Sequence, residues 1–212
     1  MAEKRVVVVG TTCDYIDLLR NRHPGRAFFL TDRALRERAP EPAPPPGEEA
    51  LWDLEDRAGA LSALEEVLRS AGIEPSGIAC YDCESLPLAA EAGAWFGLPF
   101  APLEAVLAAR DKWRSKRLWR AAGVPCPEAE TAASREELEA LLGRIPPPVV
   151  LKPMTGAGSE LVFRCGNREE ALGACAAILR ALAEHPDTRL YPEGGDDDAP
   201  SPRRHVLCER CV

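Results

Sequence analysis

The sequence predicts an α/β protein, in which a domain with a parallel sheet is followed by a small α+β unit. Three observations predict this fold. Strand and helix patterns alternate through about residue 100, as in a doubly wound domain. The second half changes to the order helix, strand, loop, strand, helix and strand. A chain of 212 residues is long enough for two small domains, and we place them at 1–106 and 107–212.

Short apolar runs in the first half are of the kind that form buried parallel strands. Residues 5–10 (RVVVVG) are mostly valine and end at a glycine, as expected of such a strand. Residues 39–47 hold five prolines, which lack the amide hydrogens that regular structure needs, and they predict a loop. The expected strands are 5–10, 27–31 and 77–81, and the expected helices are 15–20, 51–71 and 86–96.

Capping residues mark the helices of the second half. Asp111 is a good N-cap, and Gly123 with Pro125 beyond it ends the helix that follows. Ser134 and Glu137 form an S-x-x-E capping box. The expected elements are helices at 111–122, 134–142 and 168–183, strands at 149–152, 160–164 and 206–212, and a mobile loop at 184–204.

Composition and charge exclude several classes of partner. The formal net charge of -8 and the pI of about 5.1 argue against a nucleic-acid-binding surface. The basic run at 110–120 is interpreted mainly as a solvated helix face. No apolar run reaches the roughly 20 residues of a membrane helix, and the N-terminal run does not resemble a signal peptide. We therefore expect a cytoplasmic protein without a nucleic-acid or membrane partner.

Eight cysteines leave a second kind of site to consider. Cys80 with Cys83 and Cys208 with Cys211 have the CxxC spacing of zinc or redox sites. The second pair lies in an expected strand, where side chains three apart point to opposite faces and share a metal poorly. Free thiols are the favoured interpretation for a cytosolic chain, and a cysteine-based metal or redox protein remains an alternative.

Residues 148–164 (PVVLKPMTGAGSELVFR) carry the chemistry. Lys152 lies near the end of an apolar strand, on the same face as Val150. Its charge needs a cleft or a partner, because an unpaired buried charge is costly. Gly156, Gly158 and Ser159 follow at once, and the backbone amides of such a loop can surround phosphate oxygens. The pattern is consistent with a triphosphate clamp, and also with a plain hairpin whose lysine reaches solvent.

Three segments in order resemble the ATP-grasp superfamily, which includes biotin carboxylase, D-alanine–D-alanine ligase and the carbamoyl phosphate synthetase large subunit. They are DKWRSKRLWRAAGVPCP (111–127), LKPMTGAGS (151–159) and VLCERCV (206–212). The resemblance spans nearly the whole chain. It implies a Rossmann-like pre-ATP-grasp domain at 1–106, followed by the small N-terminal part of an ATP-grasp domain at 107–212, which ends at the adenine hinge.

The resemblance also implies a role for each matching residue in ATP binding. Lys112 and Lys152 would contact the phosphates. A flexible flap over the β- and γ-phosphates would consist of Gly156, Ala157, Gly158 and Ser159. At the hinge, the Glu209 carbonyl would accept from the adenine amino group and the Val212 amide would donate to the ring. Val150 and Val206 would form apolar walls for the purine. No residue of this chain is assigned as catalytic or as a metal ligand.

The resemblance implies an ATP-dependent carboxylate–amine (or thiol) ligase that acts through an acyl phosphate. The cofactors would be ATP and Mg²⁺, whose ligands are expected beyond the C-terminus of this chain. We therefore expect the chain to bind nucleotide without turning over. A non-catalytic nucleotide-binding or regulatory module is the alternative. The carboxylate substrate is not identified, and a homo-oligomer or a missing C-terminal half is left open.

Overall fold

Residues 2–194 and 199–211 are described by the computed structural model of this chain. The chain divides into two units, Met1–Val106 and Leu107–Val212. Each unit has a sheet and a hydrophobic core of its own. Within the described residues, no helix has both the length and the apolar character needed to cross a membrane.

The first unit contains four strands and four whole helices among the described residues. They are β1 (Glu3–Val9), α1 (Cys13–Arg22), β2 (Ala27–Asp32), α2 (Arg33–Arg38), β3 (Glu49–Trp52), α3 (Arg57–Ala71), β4 (Ile73–Ala79) and α4 (Leu86–Trp95), with α5 (Leu103–Arg110) running past its end. The strands form one parallel sheet in the order β3-β2-β1-β4.

Both faces of this sheet are covered. Val7 and Val9 of β1 are buried in a cluster with Leu64 of α3, whereas Val8 packs with Ile16 of α1 on the opposite face. Successive strand residues point to opposite faces, so a continuous valine run is buried only when helices lie on both sides. The predicted α/β fold with a parallel sheet is confirmed.

The sheet has one strand more than the sequence pattern indicated. The expected helix at 51–71 begins only at Arg57. Asp56 is its N-cap, and the Asp56 side chain accepts a hydrogen bond from the Gly59 amide. Residues 49–52 instead form β3, which pairs with β2 at the sheet edge. Pairing with β2 satisfies the backbone hydrogen-bonding groups of residues 49–52. The spacing of apolar residues along the sequence does not indicate this partner.

The second unit contains an antiparallel sheet with the order β5-β8-β6-β7. Its elements are α6 (Lys112–Ala121), β5 (Ala129–Ala132), α7 (Arg135–Leu142), β6 (Val149–Pro153), β7 (Phe163–Cys165), α8 (Arg168–Glu184) and β8 (Val206–Arg210). Leu138 of α7 and Ile178 of α8 join Leu151 and Cys208 in one buried cluster. The two helices therefore cover a single face of the sheet.

Both predicted caps of the second unit are present. The Asp111 side chain accepts from the amides of Trp113 and Arg114 at 2.8 and 3.0 Å. Ser134 accepts from the Glu137 amide at 3.2 Å, while the Glu137 carboxylate accepts from the Ala133 amide rather than from that of Ser134. These local signals place the starts of α6 and α7 correctly.

One expectation for the second unit needs correction. The strand expected at 160–164 is Phe163–Cys165, because Ser159 and Leu161 adopt positive φ and keep the chain in a turn. The stretch 184–204 was expected to be a mobile loop, and its described residues after Glu184 form no helix or strand, while its Tyr191 is fully buried. The acidic run 196–198 lies outside the described residues. Burial of an aromatic side chain stabilises the position of a segment whose composition predicts a loop.

Candidate functional site

A carboxylate held between two lysines lies on one face of the antiparallel sheet. Glu209 of β8 is opposite Val150 of β6, and Lys152 is two residues further along β6 on the same face. Glu209 Oε1 accepts from Lys116 Nζ at 2.7 Å, and its second oxygen forms an ion pair with Lys152. Two ammonium groups against one carboxylate leave one net positive charge at this position.

These three side chains are largely shielded from solvent. The exposed fraction is 6% for the Lys116 side chain, 13% for Glu209 and 20% for Lys152. Burial by itself would raise the pKa of Glu209, but the hydrogen bonds from Lys116 and Lys152 outweigh it and hold that pKa below its usual value. Glu209 is therefore a carboxylate at neutral pH, and it orients both lysines.

Lys112 approaches the glycine-rich loop from the first turn of α6. Its Nζ donates to the carbonyls of Thr155 and Gly156 at 2.9 and 3.4 Å. Its backbone amide donates to the Met154 carbonyl at 2.8 Å. The structure therefore places Lys112 at the start of the glycine-rich loop that follows Lys152.

At two positions of the loop, the backbone has a conformation that only glycine adopts easily. Gly156 has φ +94° and Gly158 has φ +67°, and Ser159 continues the left-handed conformation with φ +60°. Ala157 and its neighbours up to Glu160 are exposed. Turns of this kind can point successive amides toward one point in space, which is the geometry that binds phosphate oxygens.

The face that carries Lys152 also has an apolar portion. Met154 and Leu207 are buried there, with Trp113 packed against them, and Val150 is half-buried. The expected purine wall at Val206 is wrong, because Val206 is fully buried in the cluster beneath α7 and α8. Strand alternation places Leu207, not Val206, on the face of Lys152.

Lys116 and the Glu209 side chain are the residues that the sequence did not reveal. Lys116 belongs to the basic run that was interpreted as a solvated face, yet it is only 4% exposed. Glu209 was assigned a backbone role alone. The strand VLCERCV is apolar apart from Glu209 and Arg210. A carboxylate in such a strand is a signal for a buried ion pair, but the pattern does not say which lysine is the partner. Val212 lies outside the described residues.

The cysteines do not converge on a metal. All eight are free thiols, and no group of three or more His, Cys, Asp or Glu side chains within residues 2–194 and 199–211 could hold a metal ion. Burial raises the pKa of Cys208 to about 12, and it also raises the pKa of Cys80 well above its ordinary value. Neither thiol is therefore an activated thiolate at neutral pH.

Comparison with proteins of similar sequence finds partial matches. No family model matches the chain. A D-alanine–D-alanine ligase from Alkalilimnicola ehrlichii is 36% identical over 86 residues, which cover 41% of this chain and 27% of the ligase. The uncharacterized protein y4rH from Sinorhizobium fredii is 33% identical over 95 residues, or 45% of this chain and 18% of that protein.

Solved structures match the chain over its full length. An L-amino acid ligase from Bacillus licheniformis superimposes with a TM-score of 0.69 at 17% identity, covering 100% of this chain and 47% of the ligase. A carboxyaminoimidazole ribonucleotide synthase from Aspergillus clavatus complexed with ATP gives 0.59 at 16% identity, covering 100% and 48%. The biotin carboxylase domain of a 2-oxoglutarate carboxylase from Hydrogenobacter thermophilus, in complex with MgADP, gives 0.54 at 20% identity, covering 100% and 45%.

At these identities the likeness shows the fold. The chain has the fold of about half of each of these three enzymes, and the predicted fold, an α/β domain followed by a small α+β unit, is confirmed.

Proposed function

We propose that this chain is the nucleotide-binding half of an ATP-dependent ligase. The observation that carries the proposal is the ordered set of cations around one loop. Lys112 contacts the loop at Thr155 and Gly156, Lys152 lies on the strand that leads into it, and Glu209 holds Lys152 in place. Triphosphates carry several negative charges, and a net positive site beside free backbone amides is suited to them.

Each residue then has a distinct role toward the nucleotide. Lys112 and Lys152 hold the phosphates, and the amides of Gly156, Ala157, Gly158 and Ser159 close over the terminal ones. The Glu209 carbonyl accepts from the adenine amino group and the Val212 amide donates to the ring. Residues 107–212 are the small part of an ATP-grasp domain, and residues 1–106 are the domain that precedes it.

We propose that the whole protein joins a carboxylate to an amine or thiol. A carboxylate oxygen attacks the γ-phosphorus of ATP and releases ADP, and the amine or thiol then displaces phosphate from the acyl phosphate and loses a proton. Positioning and charge neutralisation, which Mg²⁺ supplies when bound, carry such phosphoryl transfers. The described residues of this chain contain no set of metal ligands, so we assign none of them to Mg²⁺.

One observation favours a second candidate function. No group of three or more His, Cys, Asp or Glu side chains in the described residues could hold a metal ion, and the proposed phosphate site without such a group is suited to binding nucleotide without turnover, as in a regulatory module. Release of ADP in the presence of a carboxylate, by a chain that contains the metal-binding half, would exclude the module. Binding of ATP without ADP release in that chain would exclude the ligase.

Replacement of Lys152 tests the proposed site. Lys152→Met keeps the length of the side chain and removes its charge, and we expect ATP affinity to fall roughly 10- to 100-fold, as for loss of a hydrogen bond to a charged group. Calorimetric titration of the purified chain with ATP measures the change. Lys4→Met is the matched control, because Lys4 lies in the first unit with a side chain 66% exposed.

Two results would contradict the proposal. One is the absence of ATP binding by the unaltered chain at millimolar nucleotide. The other is an equal affinity for ATP in the Lys152→Met and Lys4→Met variants.

A further inference from the structure

A fully buried tyrosine lies directly beneath the glycine loop. Tyr191 follows α8 and has no exposed surface. Its hydroxyl donates to Glu160 Oε2 at 3.3 Å. Glu160 is the exposed residue at the far end of the loop, so the hydrogen bond joins the exposed end of the loop to the buried Tyr191.

The near end of the loop rests on the same side chain. A Cβ at Gly156 would lie 2.8 Å from the Tyr191 ring, which is closer than a Cβ atom approaches a neighbouring side chain in a packed protein. Gly156 is therefore needed at this position for two reasons, its φ of +94° and the ring beneath it. Both ends of the segment 156–160 contact one aromatic residue.

Tyr191 is itself held firmly. Thr155 Oγ1 donates to the Leu190 carbonyl at 2.9 Å, and Arg203 donates to the Tyr191 carbonyl at 3.3 Å. The His185 ring meets the Tyr191 ring edge-on, with 4.6 Å between centroids. A side chain fixed on several sides can transmit its position to a loop that is otherwise exposed.

We propose that Tyr191 and Glu160 are positioning residues for the glycine loop, and that they set the preference of the site for a nucleoside triphosphate over a monophosphate. The inference rests on the proposed function and deepens it. The Tyr191 ring packs against Gly156, and the Tyr191 hydroxyl donates to Glu160. The loop amides are thereby oriented before the nucleotide arrives, so less conformational entropy is lost when the terminal phosphates bind.

Hydrogen–deuterium exchange of the nucleotide-free chain tests the positioning by itself. In Tyr191→Phe the hydroxyl is lost and the ring remains, and in Glu160→Ala the acceptor is lost at an exposed position. The readout is the amide of residue 160, which donates to the Ala157 carbonyl at 3.3 Å. We expect the protection factor of this amide to fall roughly 3- to 10-fold in each variant, as for loss of one hydrogen bond. The double variant should exchange no faster than the single ones, because both remove the same bond.

Tyr15→Phe is the control for this measurement, since Tyr15 is 43% exposed in the first unit. In Tyr15→Phe, the glycine loop should exchange at the same rate as in the unaltered chain. An unchanged protection factor for the residue 160 amide in both Tyr191→Phe and Glu160→Ala would overturn the inference, whatever the outcome of nucleotide binding.

Titration with ATP and with AMP then tests the preference. We expect Tyr191→Phe and Glu160→Ala to weaken ATP by roughly 3- to 10-fold and to leave AMP unchanged, because AMP lacks the phosphates that the loop covers. An equal loss of both nucleotides, or no loss of either, would overturn the inference. Failure of the unaltered chain to bind ATP would instead contradict the proposed function, which the exchange measurement does not depend on.

Discussion

At the scale of single residues, the site depends on how one carboxylate is shared. Glu209 bridges Lys116 and Lys152, and all three side chains are mostly buried. Removal of one partner from such a group leaves a charge without compensation in a poorly solvated place. Lys116 therefore supports the position of Glu209, and through it that of Lys152, from a helix that also carries Lys112.

Replacement of Glu209 tests this arrangement through stability. At pH 7 we expect Glu209→Gln to lower the free energy of unfolding by about 3 kcal/mol, because two lysines lose their counter-charge. Urea unfolding followed by circular dichroism measures it. Glu130→Gln is the control from the neighbouring strand, where the Glu130 side chain is 41% exposed and pairs loosely with Arg120. A cost no larger than that of the control would contradict the buried role.

The pH dependence follows from the depressed pKa of Glu209. A carboxyl whose folded pKa lies below its unfolded value of about 4.5 stabilises the fold fully above that pH. This contribution is lost as the pH falls through the lower folded pKa. We expect the stability gap between the unaltered chain and Glu209→Gln to be constant from pH 6 to 7, on the order of the value above, and to shrink below about pH 4.5. If the stability gap widens on acidification, the folded pKa of Glu209 is raised and not lowered, which would contradict this prediction.

At the scale of elements, the glycine loop combines two constraints that a sequence pattern cannot separate. Gly156 and Gly158 both have positive φ, and they look equivalent in the run TGAGS. Only Gly156 lies against the Tyr191 ring, since a Cβ at Gly158 would meet nothing within 4 Å. Gly158 is needed for its backbone conformation alone, whereas Gly156 is needed for close packing against Tyr191 as well.

Alanine substitutions separate the two constraints. We expect Gly158→Ala to destabilise the second unit by about 1 kcal/mol, from backbone strain. Gly156→Ala should cost about 1–3 kcal/mol more, because the ring must shift from its packed position. Chemical unfolding of the two variants gives the difference directly. Equal costs would mean that Tyr191 yields to the added methyl group.

Local signals located most elements, and the elements that were missed are short. Asp111 and Ser134 cap their helices through side chains within three residues, and such contacts are readable from a short window. Strands β3 and β5 and helices α2 and α5 were not predicted. A strand of four residues is defined by a neighbour distant in sequence, and α2 has only six residues although the Asp32 side chain caps it. The strand near 160–164 shifted because positive φ at two residues that are not glycine is not a sequence pattern.

At the scale of the whole molecule, the chain consists of two units with separate cores. Leu64 and Val7 belong to the core of the first unit, and Leu151 and Ile178 to that of the second. A unit with its own core and sheet has what it needs to fold alone. The nucleotide contacts proposed for the described residues all lie in the second unit.

Expression of residues 101–212 tests this independence. The fragment keeps α5 whole, so that Arg110 can still donate to the Arg189 carbonyl. We expect a cooperative unfolding transition and ATP affinity within about threefold of the full chain, since the site is intact. Leu151→Ala, at a fully buried position, should lower the stability of the fragment by about 2–5 kcal/mol. A non-cooperative fragment would show that the second unit depends on the first.

The sequence by itself determined the parallel sheet of the first unit, the caps of α6 and α7, and the order of Lys112, Lys152 and the glycine loop. These depend on periodicity and short-range hydrogen bonds, which a few neighbouring residues specify. Only the tertiary structure decided that Glu209 joins Lys116 to Lys152 and that Tyr191 supports Gly156 and Glu160. The partner of a buried charge or ring is selected by packing between distant segments, and the linear pattern does not encode which segments meet.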